Sequence, residues 1–286
     1  MSARKDPAIP KGVAARAVPV LDAALEYVNS VPYKVSLRWL FYRVLQDGHL
    51  RNKGDYGWLK ANVAAARKAM WGGWQPDTLV DHTREVSTAP SPRSAAEMIG
   101  MLPYYASIRP DLYGDCEEVP FILFEAETMT GQFAHVAPWC DRAAFRGDAS
   151  IPHKWNIAKR CDDLAARYGR PVRILYAGDF DPKGLQIPES AMADIRAWIS
   201  PETDLRFTRI GLSAEQARAF GIPEKPESPG TFEWESLGEQ NAASVIREGL
   251  ATCLSLDAVE ARLHASSAAT EALQARLVDH LGRFEP

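Results

Sequence analysis

The first third of the chain carries apolar residues at helical spacing. A stripe at positions i, i+3, i+4, i+7 and i+8 follows Ser36 and consists of Leu37, Leu40, Phe41, Val44 and Leu45. This pattern predicts an amphipathic helix that Ser36 caps and Gly48 ends. Similar patterns predict helices over about 17–29, 55–70 and 94–106, and a short strand over about 79–83. Helix, turn, basic helix and extended segment follow one another in this order in winged helix-turn-helix domains.

The second half of the chain alternates short apolar runs with amphipathic stretches. The apolar runs predict strands over about 121–124, 141–145, 172–177 and 205–210, with a short one near 253–256. The stretches between them predict helices over about 128–138, 153–168 and 184–199, and a long helix that ends near Leu281. Strands that alternate with helices form mostly parallel sheets, so the fold class is predicted to be α/β.

This organisation predicts that the chain consists of three parts. Residues 1–12 are expected to form a flexible tail, and residues 13–115 an N-terminal helical, winged-helix-like domain. Residues 116–286 are expected to form a Rossmann-like domain with a mostly parallel sheet and a C-terminal helical extension. A Ser- and Pro-rich stretch over 87–92 is expected to be a linker or an ordered loop.

The composition narrows the class of protein. The chain has 286 residues, of which 46% are hydrophobic and 24% charged, as in ordinary globular proteins. No apolar run reaches the length of about 18 residues that a membrane span needs, and no apolar segment typical of a secretory signal follows the first residues. The four cysteines form no CxxC pair. A disulfide framework or a zinc site is therefore not expected, and a reducing, cytoplasmic location is predicted.

Charge is unevenly distributed along the chain. The net charge is −4, but residues 1–115 carry 15 Lys and Arg against 11 Asp and Glu, and the remainder is acidic. The basic residues concentrate within 34–68. This asymmetry indicates either a basic module for a polyanion such as DNA or an unevenly charged solvated surface. The candidates for contact with DNA are Lys53, Lys60, Arg67, Lys68 and Arg146.

Carboxylates directly follow two of the predicted strands. Asp179 and Asp181 lie at i and i+2 after the run 172–177, which places them on one face of an extended segment, and Glu125 follows the run 121–124. In α/β sheets, ligands bind at the carboxyl ends of the strands. Three carboxylates at one position would suit Mg²⁺. The alternative is that these acidic residues only cap or charge the N-termini of the following helices.

These residues resemble the Toprim domain. The resemblance rests on Glu125, Gly131, the pair Arg146-Gly147 and the run Gly178-Asp179-Phe180-Asp181-Pro182-Lys183-Gly184. The most similar version is that of the DNA-cleaving subunit of topoisomerase VI and its meiotic relative Spo11, although the chain looks more like the compact, stand-alone Toprim proteins of bacteria and phages. In this family the glutamate and the two aspartates hold Mg²⁺, which implies that role for Glu125, Asp179 and Asp181. The resemblance covers roughly residues 119–211 and is faint beyond about 215.

The same family joins its Toprim domain to a winged helix with the motif Arg-x-x-Tyr-Tyr, in which the second tyrosine cleaves DNA. The run Arg38-Trp39-Leu40-Phe41-Tyr42 aligns with this motif, with Phe41 in place of the first tyrosine. The resemblance therefore implies that Tyr42 is the nucleophile. Arg38 and Tyr42 are one helical turn apart, so we expect them side by side on the flank of the apolar stripe, with the Tyr42 hydroxyl in solvent. A guanidinium there would hold the scissile phosphate.

Three functions are consistent with this sequence. The leading one is Mg²⁺-dependent DNA strand cleavage by transesterification to Tyr42, with Arg38 and Glu125 as further catalytic residues. The resemblance implies a homodimer, because in this family the nucleophile of one protomer meets the metal site of the other. The chain has no phosphate-binding loop motif, so an ATPase would have to be a separate partner. The alternatives are a metal-dependent hydrolytic nuclease in which Tyr42 is structural, and a DNA-binding protein without catalysis.

Overall fold

Two clusters of buried apolar side chains organise the chain, one built by the N-terminal helices and one around a β-sheet. The computed structural model describes residues 8–80, 94–145, 149–225 and 228–281. The predicted tail is therefore outside the described residues up to position 7, and so is the predicted linker over 87–92.

Three helices form the N-terminal cluster: α1 (Val18–Ser30), α2 (Leu37–Gln46) and α3 (Tyr56–Lys68). The predicted cap of α2 is confirmed, since the Ser36 hydroxyl accepts a hydrogen bond from the Trp39 N–H at 3.2 Å. Leu21, Leu40 and Leu59, one from each helix, are fully buried. The predicted apolar stripes therefore pack against one another.

The strand predicted over 79–83 is not seen at its described positions, since Leu79 and Val80 belong to no strand. Positions 81–83 lie outside the described residues. The Arg67 guanidinium holds the segment 76–79 in place. It donates to the carbonyl oxygens of Pro76 and, at 3.2 Å, Leu79. These bonds fold the segment back onto α3. The winged-helix assignment accordingly stays a prediction.

The sheet confirms the α/β class. Its four strands are β1 (Val119–Phe124), β2 (Arg142–Ala144), β3 (Val172–Ala177) and β4 (Leu205–Gly211). They pair in the order β2-β1-β3-β4 and every pair is parallel. Every residue of β1 is buried, as expected for a parallel strand covered on both faces. In the register, Phe124 lies opposite Ala177, so β1 and β3 end side by side.

Helices connect and cover the strands. They are α5 (Thr130–Val136), α6 (Ile151–Tyr168), α7 (Pro182–Trp198), α8 (Ala214–Ala219) and α9 (Glu239–Ala251). The first three match predicted helices. The strand predicted near 253–256 is wrong, because Cys253 and Leu254 lie in the turn after α9 and are buried by packing into the sheet core. A short apolar run cannot distinguish such a buried turn from a strand.

A two-helix arm consists of α4 (Ala95–Tyr105) and α10 (Leu256–Leu281), both of which were predicted. Polar bonds tie α10 to the chain just after α4: the Gln274 side chain donates to the Ala106 carbonyl at 2.9 Å, and the Ile108 N–H donates to the Thr270 hydroxyl at 2.9 Å. Among the described helices, none has the length and hydropathy needed to cross a membrane. Cys116, Cys140, Cys161 and Cys253 are buried and form no disulfide bonds.

The two clusters meet where α2 contacts the turn Trp234–Ser236. The Gln46 side chain donates to the Ser236 carbonyl at 2.7 Å, and the Tyr33 hydroxyl donates to Glu239. Gly131 marks another close approach, since a Cβ at this position would lie 3.0 Å from the Lys34 carbonyl oxygen. This junction brings the candidate functional residues of both halves together.

Candidate active site

The three predicted carboxylates meet at the carboxyl ends of β1 and β3. Glu125 continues the pairing of the two strands, because its N–H donates to the Ala177 carbonyl at 3.0 Å. Its carboxylate accepts a hydrogen bond from the Asp179 N–H at 2.9 Å. Asp181 caps α7 and accepts from the Gly184 N–H at 2.8 Å. The sequence therefore predicted both the position of these residues and their convergence.

Glycines make room for this convergence. A Cβ at Gly184 would lie 2.3 Å from the Asp179 carbonyl oxygen and 3.0 Å from Glu125 Oε2. A Cβ at Gly178 would lie 2.7 Å from the same Glu125 oxygen and 2.8 Å from the Tyr176 hydroxyl. Contacts this short are not tolerated in a packed interior. Gly178 is thus required by the approach of the Glu125 carboxylate, and Gly184 mainly by that of the Asp179 carbonyl.

Arg209 of β4 supports the same loop. Its guanidinium donates to the carbonyl oxygens of Gly178 at 3.0 Å and Gly184 at 2.8 Å. Burial lowers the pKa of Arg209, although the neighbouring acidic groups oppose this effect. An arginine can serve this purpose because its planar group presents several donors in fixed directions. Arg209 therefore acts as a positioning residue for the motif.

Sequence reasoning missed two further carboxylates, Glu233 and Glu235. Both are buried and flank Trp234 in the turn that contacts α2. The Trp234 N–H donates to Asp179 Oδ1 at 2.9 Å, and the Thr128 hydroxyl donates to Glu235 Oε1 at 2.9 Å. The turn comes from an irregular, proline-containing stretch with neither helical nor strand periodicity, so the sequence pattern gives no signal for its position.

Lys225 was missed as well. Its Nζ lies 2.8 Å from Asp181 Oδ2, 3.2 Å from Asp179 Oδ2 and 3.5 Å from Glu233 Oε1. Burial lowers the pKa of Lys225, but the bond to Asp181 and the charge of Asp179 outweigh this and leave the pKa raised. The ammonium group is therefore charged and neutralises the acidic cluster.

The N-terminal helices bring Arg38, Tyr42 and Lys53 to the same place. Arg38 Nε lies 3.4 Å from Glu235 Oε1, and Lys53 Nζ lies 2.8 Å from Glu233 Oε1. Both cations also lie over the Tyr42 ring, at 5.9 Å and 5.8 Å from its centroid. Lys53 is therefore part of this site, rather than of a separate surface for phosphates.

Tyr42 is more buried than its place on the flank of the apolar stripe predicts. The residue is only 8% exposed, and the Glu233 and Glu235 carboxylates lie close enough to affect its phenol. Burial and the charge of Glu233 raise the pKa of Tyr42 to about 12, while Arg38 opposes the shift. The phenol is thus neutral at rest and has a base within reach.

The cluster holds more negative charge than its cations offset. Burial, and next the charge of Asp179, raise the pKa of Glu125 from its ordinary value of 4.5 to about 7. Burial also raises the pKa of Asp179 and of Glu235. Asp181 differs: burial would raise its pKa, but bonds from Gly184 and Lys225 outweigh this and lower it. A further cation would relieve this excess.

The residues present fit Mg²⁺ by donor chemistry. All acidic donors are carboxylate oxygens, which Mg²⁺ prefers, and the buried Tyr176 hydroxyl beside Gly178 has no hydrogen-bond partner. However, no three potential ligands among the described residues stand in the arrangement of a metal site. Lys225 lies between two of the predicted ligands. The Mg²⁺ site therefore stays a prediction.

The other residues proposed to contact DNA differ from one another in exposure and in bonding. A cavity of about 360 Å³ beside the N-terminus of α2 is lined by Arg38, Tyr56, Lys60 and Arg67, among others. Lys60 and Lys68 are exposed on α3, whereas Arg67 is half-buried and bonded to backbone carbonyls. Arg146 lies outside the described residues.

Comparison of the chain with protein-family models, curated proteins and solved structures finds no match. The assignment of function therefore rests on the geometry and chemistry of this site.

The raised pKa of Glu125 predicts how stability depends on pH without metal. The unfolded chain releases this proton near pH 4.5, whereas the folded protein holds it until about pH 7. Because the folded state binds more protons in this interval, the contribution of Glu125 to the free energy of unfolding falls as pH rises through it. Urea unfolding in EDTA should show a shallower decline in Glu125→Gln than in the wild type. Glu189→Gln, which removes an exposed carboxylate of α7, is the control, and equal slopes in wild type and Glu125→Gln would refute the assignment.

Crowding around Gly184 predicts that alanine at this position destabilises the protein, whereas helix propensity alone would predict stabilisation. Gly184→Ala should lower the free energy of unfolding by about 1–3 kcal/mol, because the new methyl group overlaps the Asp179 carbonyl. Gly57→Ala in α3 is the matched control, since nothing lies within 4 Å of its Cβ position, and it should be neutral or stabilise by up to about 1 kcal/mol. Chemical denaturation measures both. Equal stability of the two variants would show that the Gly184 contact is easily relieved.

Proposed function

We propose that this chain cleaves the phosphodiester backbone of DNA in a Mg²⁺-dependent reaction, with Tyr42 as the nucleophile. One observation carries the proposal: Arg38 and Tyr42, expected from the N-terminal half, lie beside Glu233 and Glu235, which share an acidic cluster with the carboxylates expected from the sheet half. The link is direct, since Arg38 pairs with Glu235, and Lys53, which lies over the Tyr42 ring, pairs with Glu233. A structural tyrosine would need no such surroundings.

Glu233 supplies what a tyrosine nucleophile needs. A phenol is a weak nucleophile until a base takes its proton, and the Glu233 carboxylate lies close enough for its charge to raise the pKa of the Tyr42 phenol. As the phenolic oxygen bonds to phosphorus, its proton passes to Glu233 and the bond from phosphorus to the sugar oxygen breaks. The sugar oxygen takes a proton from solvent and leaves as a hydroxyl. The product is a phosphotyrosyl ester that conserves the energy of the phosphodiester bond.

Arg38 and Lys53 lie on the ring of Tyr42 and stabilise the negative charge that develops during attack. Arg38 is also half-exposed and lines the cavity with Lys60, so its guanidinium can contact a DNA phosphate. Glu125, Asp179 and Asp181 are the residues that would hold Mg²⁺. When bound, the ion would supply positive charge to the phosphate and the leaving sugar oxygen.

Two observations favour the alternatives. The burial of Tyr42 favours hydrolysis, in which water attacks and the phenol only packs. The pairing of Lys225 with two carboxylates favours a protein that binds DNA without catalysis, because it satisfies these groups without a metal. One chain contributes both Tyr42 and the carboxylates of this cluster. A homodimer and a separate ATPase stay predictions.

Tyr42→Phe separates the covalent mechanism from hydrolysis. The variant should lose DNA cleavage and covalent attachment, while its stability changes by no more than about 1 kcal/mol, because only the phenolic hydroxyl is removed. Tyr27→Phe is the matched control, because Tyr27 also lies near a carboxylate, Asp47, and under an arginine, Arg43, but away from the cluster. The assay incubates supercoiled plasmid with Mg²⁺, denatures the sample, and detects nicks and protein-linked DNA. Cleavage by Tyr42→Phe at the wild-type rate would identify a hydrolytic nuclease.

Substitutions of the basic residues of α3 should affect either DNA binding or stability, depending on the residue. Lys60→Gln and Lys68→Gln should each weaken DNA binding on any sequence and reduce the slope of log affinity against log salt by about one. Arg67→Gln should instead lower the free energy of unfolding by about 1–3 kcal/mol, because it leaves the Pro76 and Leu79 carbonyls without their donor. Fluorescence anisotropy and urea unfolding measure these effects. Unchanged salt dependence in both lysine variants would place the DNA surface elsewhere.

A further inference from the structure

We propose that Lys225 is a built-in counter-ion that occupies the cation position between Asp179 and Asp181, so that a divalent cation must displace its ammonium group to bind. The inference rests on the proposed function in one respect: it takes these two aspartates as ligands of Mg²⁺.

The first argument is the completeness of the Lys225 contacts. An ammonium group has three hydrogens, and three carboxylates lie around Nζ: Asp181 at 2.8 Å, Asp179 at 3.2 Å and Glu233 at 3.5 Å. The Lys225 side chain is only 13% exposed, so little solvent screens these pairs. Lys225 therefore neutralises the two aspartates as a metal ion would, because its positive charge lies between their carboxylates.

The second argument is that the backbone fixes the lysine here. The Lys225 N–H donates to the Thr231 carbonyl at 2.9 Å, and its own carbonyl accepts from the Ser228 N–H at 3.0 Å. Phe232 then pairs with Phe180, between the two aspartates, through two backbone bonds of 2.9 Å. The stretch that carries Lys225 is thus anchored to the stretch that carries Asp179 and Asp181.

The third argument is that the displaced ammonium group has a destination. Glu233 already lies 3.5 Å from Lys225 Nζ and also binds Lys53. A rotation of the lysine side chain toward Glu233 keeps a carboxylate partner and frees the facing oxygens of the aspartates. Exchange of ammonium for a divalent cation therefore needs no rearrangement of the backbone. The lysine accordingly weakens metal binding by the free energy of the two aspartate contacts that it gives up.

The test measures Mg²⁺ affinity by isothermal titration calorimetry in the full chain. Lys225→Met should bind Mg²⁺ at least about tenfold more tightly than the wild type, because the competing charge beside the ligands is gone. Lys225→Arg, which keeps the charge, should remain within about threefold of the wild type. Lys183→Met is the matched control, since Lys183 is an exposed lysine two residues after Asp181 and its removal tests the general effect of one lost charge. It should also stay within about threefold.

A second readout covers variants that fold poorly without metal. Lys225→Gln keeps a hydrogen-bond donor, and Mg²⁺ should raise its Tm by more than it raises that of the wild type. Equal Mg²⁺ affinity in wild type and Lys225→Met, or weaker affinity in the variant, would overturn the inference and leave the proposed cleavage reaction standing. Absence of Mg²⁺ binding in every variant would overturn it together with the metal part of the proposed function.

Discussion

The structure depends on how five carboxylates are held within one partly buried space. Glu125, Asp179, Asp181, Glu233 and Glu235 converge there. Like charges in such a space repel one another, and the repulsion is relieved only by protonation or by cations. The protein uses both means: the pKa of three of these groups rises, and lysine and arginine side chains enter from two directions. The shape of the surrounding loops follows from this requirement.

The two halves of the chain contribute groups of opposite charge to the contact between them. The sheet half supplies the aspartates at strand ends and the glutamates of the turn, while the helical half supplies Arg38 and Lys53. Burying either set without the other would leave unpaired charges, which is far less favourable than burying the pair. The two apolar clusters are therefore joined by an electrostatic contact at the place where Tyr42 lies. This explains why a tyrosine on the flank of an apolar stripe is buried.

The parts of the molecule that the sequence predicts are those with a periodic pattern of apolar residues. The four strands of the sheet, the motif at Asp179 and Asp181, and the Ser36 cap follow from patterns that local geometry dictates. Lys225 and Glu235 could not be found in this way, because tertiary bonds place them: the backbone pairing of Phe180 with Phe232, and of Trp234 with Asp179. The exposure of Tyr42 was also beyond local pattern, since an amphipathic stripe does not show which distant turn will cover its edge.

The turn Trp234–Ser236 connects α2 to the acidic cluster. Its first residue holds Asp179 through a backbone bond and is locked in the core by its indole, which donates to Gln132 at 2.8 Å. Its last residue accepts a bond from Gln46 of α2. One element of three residues thus connects the helical surface to the centre of the acidic cluster. A displacement of α2 would therefore reach the Asp179 carboxylate through one short turn and the two hydrogen bonds at its ends.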